Sequence, residues 1–276
     1  MPSPRSSRAE PAVSVILCSY NRLGYLKDAL AGVYRQTFRD FEVVLADDGS
    51  TDGTARWIRG RRCPRLKLIR LPRNLGPAAA RAEALRRARG RFAAFLDSDD
   101  LWRPRYLETM LSCLRSPEVM VAASDYDTID ERGRLRARRQ ARVNLHSTFL
   151  IASGLEAMPR TSFAVVRRSA LDLIDGFDEG FKQFYDDADL FCRLALRFGP
   201  AAFRWVPRAL GDYRVHEACL SSNMPVMDGR DFVESFPLRW GALDARRREF
   251  MLDWVYFRHK HSGWMNLALG REPLRC

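Results

Sequence analysis

Arg91-Phe92-Ala93-Ala94-Phe95-Leu96-Asp97-Ser98-Asp99-Asp100 joins an apolar run to an acidic cluster, and the rest of the chain is best read outward from it. The apolar run is too short for a helix of ordinary length and reads as a strand buried on both faces. It ends in three carboxylates around one serine, and Pro104 just beyond suits the first turn of a helix. Crowded carboxylates repel one another, so such a strand mouth is costly unless a cation offsets them. Hard oxygen donors suit magnesium or manganese, which often bind through one or two carboxylates together with phosphate oxygens. The alternative is a helix N-cap cluster, with Asp99 or Asp100 capping a helix that begins near Trp102. The stretch alone leaves both readings open.

The residues upstream repeat the same unit. Val13–Cys18 reads as a strand, the polar Ser19-Tyr20-Asn21-Arg22 follows, and Leu23, Leu26, Ala29, Leu30 and Val33 recur at helical spacing. Phe41–Ala46 is a second strand, closed by Asp47-Asp48-Gly49-Ser50-Thr51-Asp52-Gly53-Thr54 and a short helix over 55–59. Leu66–Leu71 is a third, followed by Pro72-Arg73-Asn74-Leu75-Gly76-Pro77 and a helix to about Arg89. Strand–helix alternation predicts an α/β fold with a mostly parallel sheet and helices on both faces. Ligands of such sheets bind beyond the carboxyl ends of the strands, where all four polar clusters fall. No Gly-x-Gly-x-x-Gly follows the first strand, so a glycine loop does not cradle a pyrophosphate there.

Downstream, Val119–Ala123 and Asp125–Ile129 read as extended, with Asp130-Glu131-Arg132-Gly133 as a hairpin turn and Arg136–Arg142 as a solvated basic loop. Ser162–Val166 reads as a strand, Asp187–Phe198 as a helix with an acidic start, and Ala202–Val206 and Gly211–Val215 as extended. Helical spacing of aromatics over 228–264 predicts a C-terminal helical extension. The organisation expected is a disordered leader over 1–11, an α/β domain over 12–224 and the extension over 225–276. The leader lacks the apolar core of a secretory signal.

The 276 residues suffice for one large domain, and no apolar run approaches the about 18 residues needed to cross a bilayer. Six cysteines lack the paired spacing of zinc or redox sites, which suits a reducing cytoplasm or the inner face of a membrane. A net charge of +12 favours anionic partners, yet no nucleic-acid-binding signature accompanies it.

Taken together, the clusters resemble family 2 glycosyltransferases, which use a nucleotide-diphospho-sugar donor on a GT-A fold. The resemblance runs from Ala12 to Asn223 and includes Ser14–Arg22, Ala46–Asp52, Asn74–Pro77, Leu96–Asp100, Gly176–Glu179, Asp186–Leu190 and Tyr213–His216 in the family's order. It implies that Asp48 meets the donor's base, uracil by preference, beside Ser19, Tyr20 and Asn21. Asp97 and Ser98 would lie at the donor ribose, and Asn74 and Arg81 would line its pocket. Asp99 would bind Mn2+ or Mg2+ bridging the diphosphate, and His216 would be a second metal contact or a phosphate contact. Asp187 would be the catalytic base of an inverting transfer, with Asp186 standing where the family has glutamate, one methylene shorter. Residues 218–224 would form a flap that closes on the donor. The acceptor would be a glycan, a lipid-linked saccharide or a protein, and the protein cytoplasmic or peripheral at the inner membrane face. A non-catalytic nucleotide-sugar binder of the same fold is the competing reading.

Overall fold

The computed structural model describes residues 10–61, 63–140, 158–181, 186–217 and 219. The elements run β1 (Val13–Ser19), α1 (Leu23–Tyr34), β2 (Phe41–Asp47), α2 (Thr54–Arg59), β3 (Leu66–Arg70), α3 (Pro77–Arg87), β4 (Phe92–Asp97) and β5 (Leu101–Trp102). They continue with α4 (Tyr106–Cys113), β6 (Val121–Ile129), β7 (Leu135–Gln140), β8 (Ala164–Arg167), α5 (Arg168–Asp172), α6 (Asp186–Phe198) and β9 (Phe203–Arg214).

The strands form one sheet in the order β3-β2-β1-β4-β8-β6-β9-β5, with β7 paired to β6. β3, β2, β1 and β4 are parallel neighbours. β8 runs antiparallel to both β4 and β6, so β6 and its parallel neighbour β9 again point the same way as β4. The central strands carry near-continuous apolar runs because both faces are covered, and side-chain alternation deals each run into two cores. Val13, Val15 and Leu17 of β1, with Val43, Leu45, Ala94 and Leu96, pack against α1 and α4. Ile16, Val44, Ala46, Ala93 and Phe95 face α3, α5 and α6 on the other side. Helices on both faces, as the alternation predicts, are what the sheet carries.

Four local readings change. The helix placed near Trp102 starts at Tyr106 instead, and Leu101–Trp102 pairs antiparallel with β9. Burial of Trp102, whose indole N–H donates to Ser162 O at 2.6 Å, holds this segment extended. Asp100 therefore caps no helix; it accepts the Arg214 backbone N–H at 3.0 Å. The basic stretch read as a loop is strand β7 as far as Gln140, an edge position that leaves arginine heads in water. The extended pairs on either side of Ser124 and of Pro207 merge into single strands, β6 and β9, whose register shifts near Asp125 absorb the irregularity. Thr161–Phe163 is a 3-10 turn that delays β8 until Ala164. The leader up to residue 9, the flap residues other than Cys219 and the C-terminal extension lie outside the described residues.

Candidate active site

The register that aligns Ser19 with Asp47 and Cys18 with Asp97 brings the ends of β1, β2 and β4 to one rim. A cleft of about 1020 Å³ opens there. Ser19, Tyr20, Asn21, Asp48, Asn74, Arg81, Asp97, Ser98, Asp99, Asp187 and His216 all border it.

Asp48 is buried, and its two oxygens accept the backbone N–H groups of Leu75 at 2.8 Å and Gly76 at 2.9 Å. Its pKa is raised, burial outweighing these two hydrogen bonds. The residue thereby ties the loop after β2 to the loop before α3. Gly49 makes the approach possible: at φ +77° its Cα faces the Arg73 backbone so closely that a Cβ would stand 2.5 Å from Arg73 C. Asn21, at φ 51°, accepts the Thr51 N–H at 2.8 Å and donates its own backbone N–H to the Ser50 hydroxyl at 3.0 Å. Asp52 serves two helix starts, accepting from Leu23 N at 2.8 Å and Thr54 N at 3.0 Å. Tyr20 is 41% exposed at the lip of the cleft. The Ser19 hydroxyl is buried and has no hydrogen-bond partner among the described residues.

Arg81 is buried between two carboxylates, paired to Asp97 at 2.5 Å and to Asp186. Asp186 is pushed up to about 6 because burial outweighs the pull of Arg81, and the charges of Asp187 and Asp97 add to the effect. The shorter Asp186 is therefore occupied by an arginine. Asp187, the next residue, keeps a border on the cleft and accepts the Thr161 hydroxyl at 3.3 Å and its own helix's Ala188 N–H at 2.8 Å. The first turn of α6, rich in aspartate, suits the positive end of the helix.

Also on the cleft, Asp99 pairs with Arg22, and His216 Nε2 lies 3.0 Å from the same carboxylate oxygen. Arg22 Nη1 also lies 2.6 Å from His216 Nε2. Asp99 is lowered despite burial, by the His216 hydrogen bond and the Arg22 charge, whereas fully buried Asp100 is pushed well up by burial and by Asp99 and Asp97. Arg214 secures this cluster, donating to Asp99 O at 3.0 Å and Glu131 O at 2.9 Å and lying 4.8 Å over the Tyr25 ring, which meets His216 at 4.9 Å. Two donors on adjacent corners of an octahedron with bonds of about 2.1 Å are about 3.0 Å apart. The Asp99 and His216 donor atoms stand 3.0 Å apart, a spacing at which both could hold one divalent cation if the Arg22 guanidinium between them gave way.

Arg22, Thr161 and Tyr25 belong to the site geometry beyond the residues to which the sequence motifs assign a role. Arg22 sits inside the quoted first-loop motif and its partner could have been sought among the aspartates. Thr161 and Tyr25 carry no local signal.

The comparisons with known proteins follow the same lines. A profile of Glycosyl transferase family 2 matches residues 14–174. A glucosyltransferase of Escherichia coli, WfgD, described as UDP-Glc:alpha-D-GlcNAc-diphosphoundecaprenol beta-1,3-glucosyltransferase, is 35% identical over 118 residues, 43% of this chain and 47% of that protein. The chain spans half or less of the length of several curated relatives it matches, WfgD among them, and 65% of another. TarS 1-349 of S. aureus in complex with UDP-GlcNAc superposes with a TM-score of 0.68 at 26% identity, covering 90% of this chain and 72% of that one. The mannosyltransferase PcManGT of Pyrobaculum calidifontis, in complex with GDP-Man and Mn2+, shares the fold at 21% identity and a TM-score of 0.61, covering 90% and 70%. With a GT-A sheet and a family profile matched over more than half its length, the chain belongs to Glycosyl transferase family 2.

Proposed function

We propose that the protein transfers a sugar from a UDP-sugar to an acceptor hydroxyl with inversion at the anomeric carbon. The observation that carries this reading is that one cleft is bordered by Asp187 and by the Asp99–His216 pair. The base would rest at Tyr20 and Asp48. Each Asp48 oxygen already accepts one backbone N–H, and a carboxylate retains further lone-pair directions for an imide N–H. Asp97, held by Arg81, would accept from ribose hydroxyls, with Ser19, Asn21, Asn74 and Ser98 completing the donor pocket.

Asp187 takes the proton of the acceptor hydroxyl as that oxygen bonds to the anomeric carbon. The carbon–oxygen bond to the diphosphate breaks on the opposite face, and its electron pair leaves with the nucleotide. One carboxylate and one displacement give inversion. Asp99 and His216 would hold a divalent cation such as Mn2+, which would neutralise charge on the departing diphosphate. Thr161 orients the base through its hydroxyl. WfgD's acceptor is named as a diphosphoundecaprenol-linked sugar, which supports a lipid-linked saccharide as acceptor and a place in cell-surface polysaccharide synthesis. No helix among the described residues is long and apolar enough to cross a membrane. The net charge of +12 supports peripheral attachment to an anionic surface.

The test is transfer from a panel of labelled nucleotide-sugars, with Mn2+ and lipid-linked saccharides as acceptors. Asp187→Asn is expected to lose about 10²-fold or more in kcat while UDP affinity stays within about twofold. Unchanged turnover in that variant overturns the assignment of the base. No turnover by the parent chain on any donor, with UDP still bound, favours the non-catalytic reading.

A further inference from the structure

We infer that Cys219 is a third protein ligand of the cation site, which makes the site favour softer ions such as Mn2+ and Zn2+ over Mg2+. This rests on the reading that Asp99 and His216 hold a cation. The ligand atoms of Asp99, His216 and Cys219 all lie within 4.8 Å of one another, with His216 and Cys219 buried. His216 and Cys219 are three residues apart in a turn closed by the Cys219 N–H donating to His216 O at 3.0 Å, a spacing that presents two ligands to one ion. The thiol lies 3.4 Å from the Tyr213 hydroxyl and 3.7 Å from Arg214 O, on the same segment that carries His216.

A carboxylate oxygen, an imidazole nitrogen and a thiolate sulfur are each donors that zinc accepts, and three protein ligands leave a fourth position open. Such an ion holds its donors about 3 to 4 Å apart; Asp99 and His216 already stand at 3.0 Å, and the thiol needs to close by up to about 1 Å. A thiolate adds little for magnesium, which prefers six oxygen donors. The cation enters by displacing the Arg22 guanidinium from Asp99 and His216, and the thiol releases its proton on binding. The fourth position is left to a diphosphate oxygen of the donor.

Cobalt is the probe, because thiolate bound to Co2+ gives a charge-transfer band in the near ultraviolet. Titration of the full chain is expected to show that band at one equivalent. Zn2+ should abolish it and equal Mg2+ should not. Cys219→Ser should lose the band and bind Co2+ about tenfold or more weakly. In the parent chain, Zn2+ should protect Cys219 from iodoacetamide, followed by peptide mass spectrometry. Cobalt binding without a thiolate band, or alkylation of Cys219 unaffected by Zn2+, overturns the inference. Asp99→Asn separates the two levels: if it still abolishes cation binding when Cys219 proves irrelevant, the two-ligand site stands. If it too has no effect, the cation site itself falls.

Discussion

Arg81 bridges two carboxylates that are far apart in the chain, Asp97 at the tip of β4 and Asp186 at the start of α6. Because burial raises Asp186 to about 6, the folded protein holds its proton more tightly than the unfolded chain does, where a carboxyl titrates near 3.9. The folded state therefore binds more protons between about pH 4 and pH 6, and stability from this residue is present below that window and lost as pH rises through it. Urea unfolding at several pH values is expected to show the stability of the parent chain relative to Asp186→Asn falling from pH 4 to pH 6 and levelling above. Parallel pH curves for the two proteins contradict this. The same burial explains why Asp186 serves structure: a carboxylate held against a shared guanidinium is poorly placed to accept an acceptor's proton, and the adjacent Asp187 keeps that opportunity.

β5 is only two residues long, yet it anchors the acidic loop that precedes it to β9. Its two residues pair with Asp212 and Gly211 of β9, directly after Asp97–Asp100. The strands meet at Gly211, where an added Cβ would stand 2.5 Å from Leu101 O and 2.5 Å from the Phe163 ring. That ring is stacked on Tyr126 at 4.9 Å and cannot easily yield. Gly211→Ala is expected to destabilise the fold by about 1–3 kcal/mol, read by urea unfolding, and to weaken cation binding because the shift passes into Asp99. Cation affinity identical to the parent would detach β5 from the site. α6 acts differently: its acidic first turn sits against Arg81 and Thr161, so its position sets the distance between Asp187 and the rest of the cleft.

For the molecule as a whole, the cleft joins both halves of the sheet, so a ligand spanning it should stabilise the global fold. UDP with Mn2+ at about a hundred times Kd should add about 2.7 kcal/mol to the unfolding free energy, and EDTA should remove much of the gain. A gain unaffected by EDTA would speak against cation-assisted donor binding. The parallel half of this architecture is legible in the residues alone: β1, β2 and β4 are apolar runs ended by polar loops, and local periodicity suffices because burial on both faces leaves few other conformations for them. The rim location of Asp48, Asp97 and Asp99 follows from the same rule. The remainder depends on partners distant in sequence. Trp102 becomes extended because β9 and Ser162 receive it, Arg136 and Arg138 enter a strand because the β6 edge accepts them, and Asp186 meets Arg81 across 105 residues. Local propensity cannot encode which carboxylate meets which guanidinium, since every arginine and aspartate offers similar charge. Packing alone chooses among them, by bringing one pair to hydrogen-bond distance inside a low-dielectric interior.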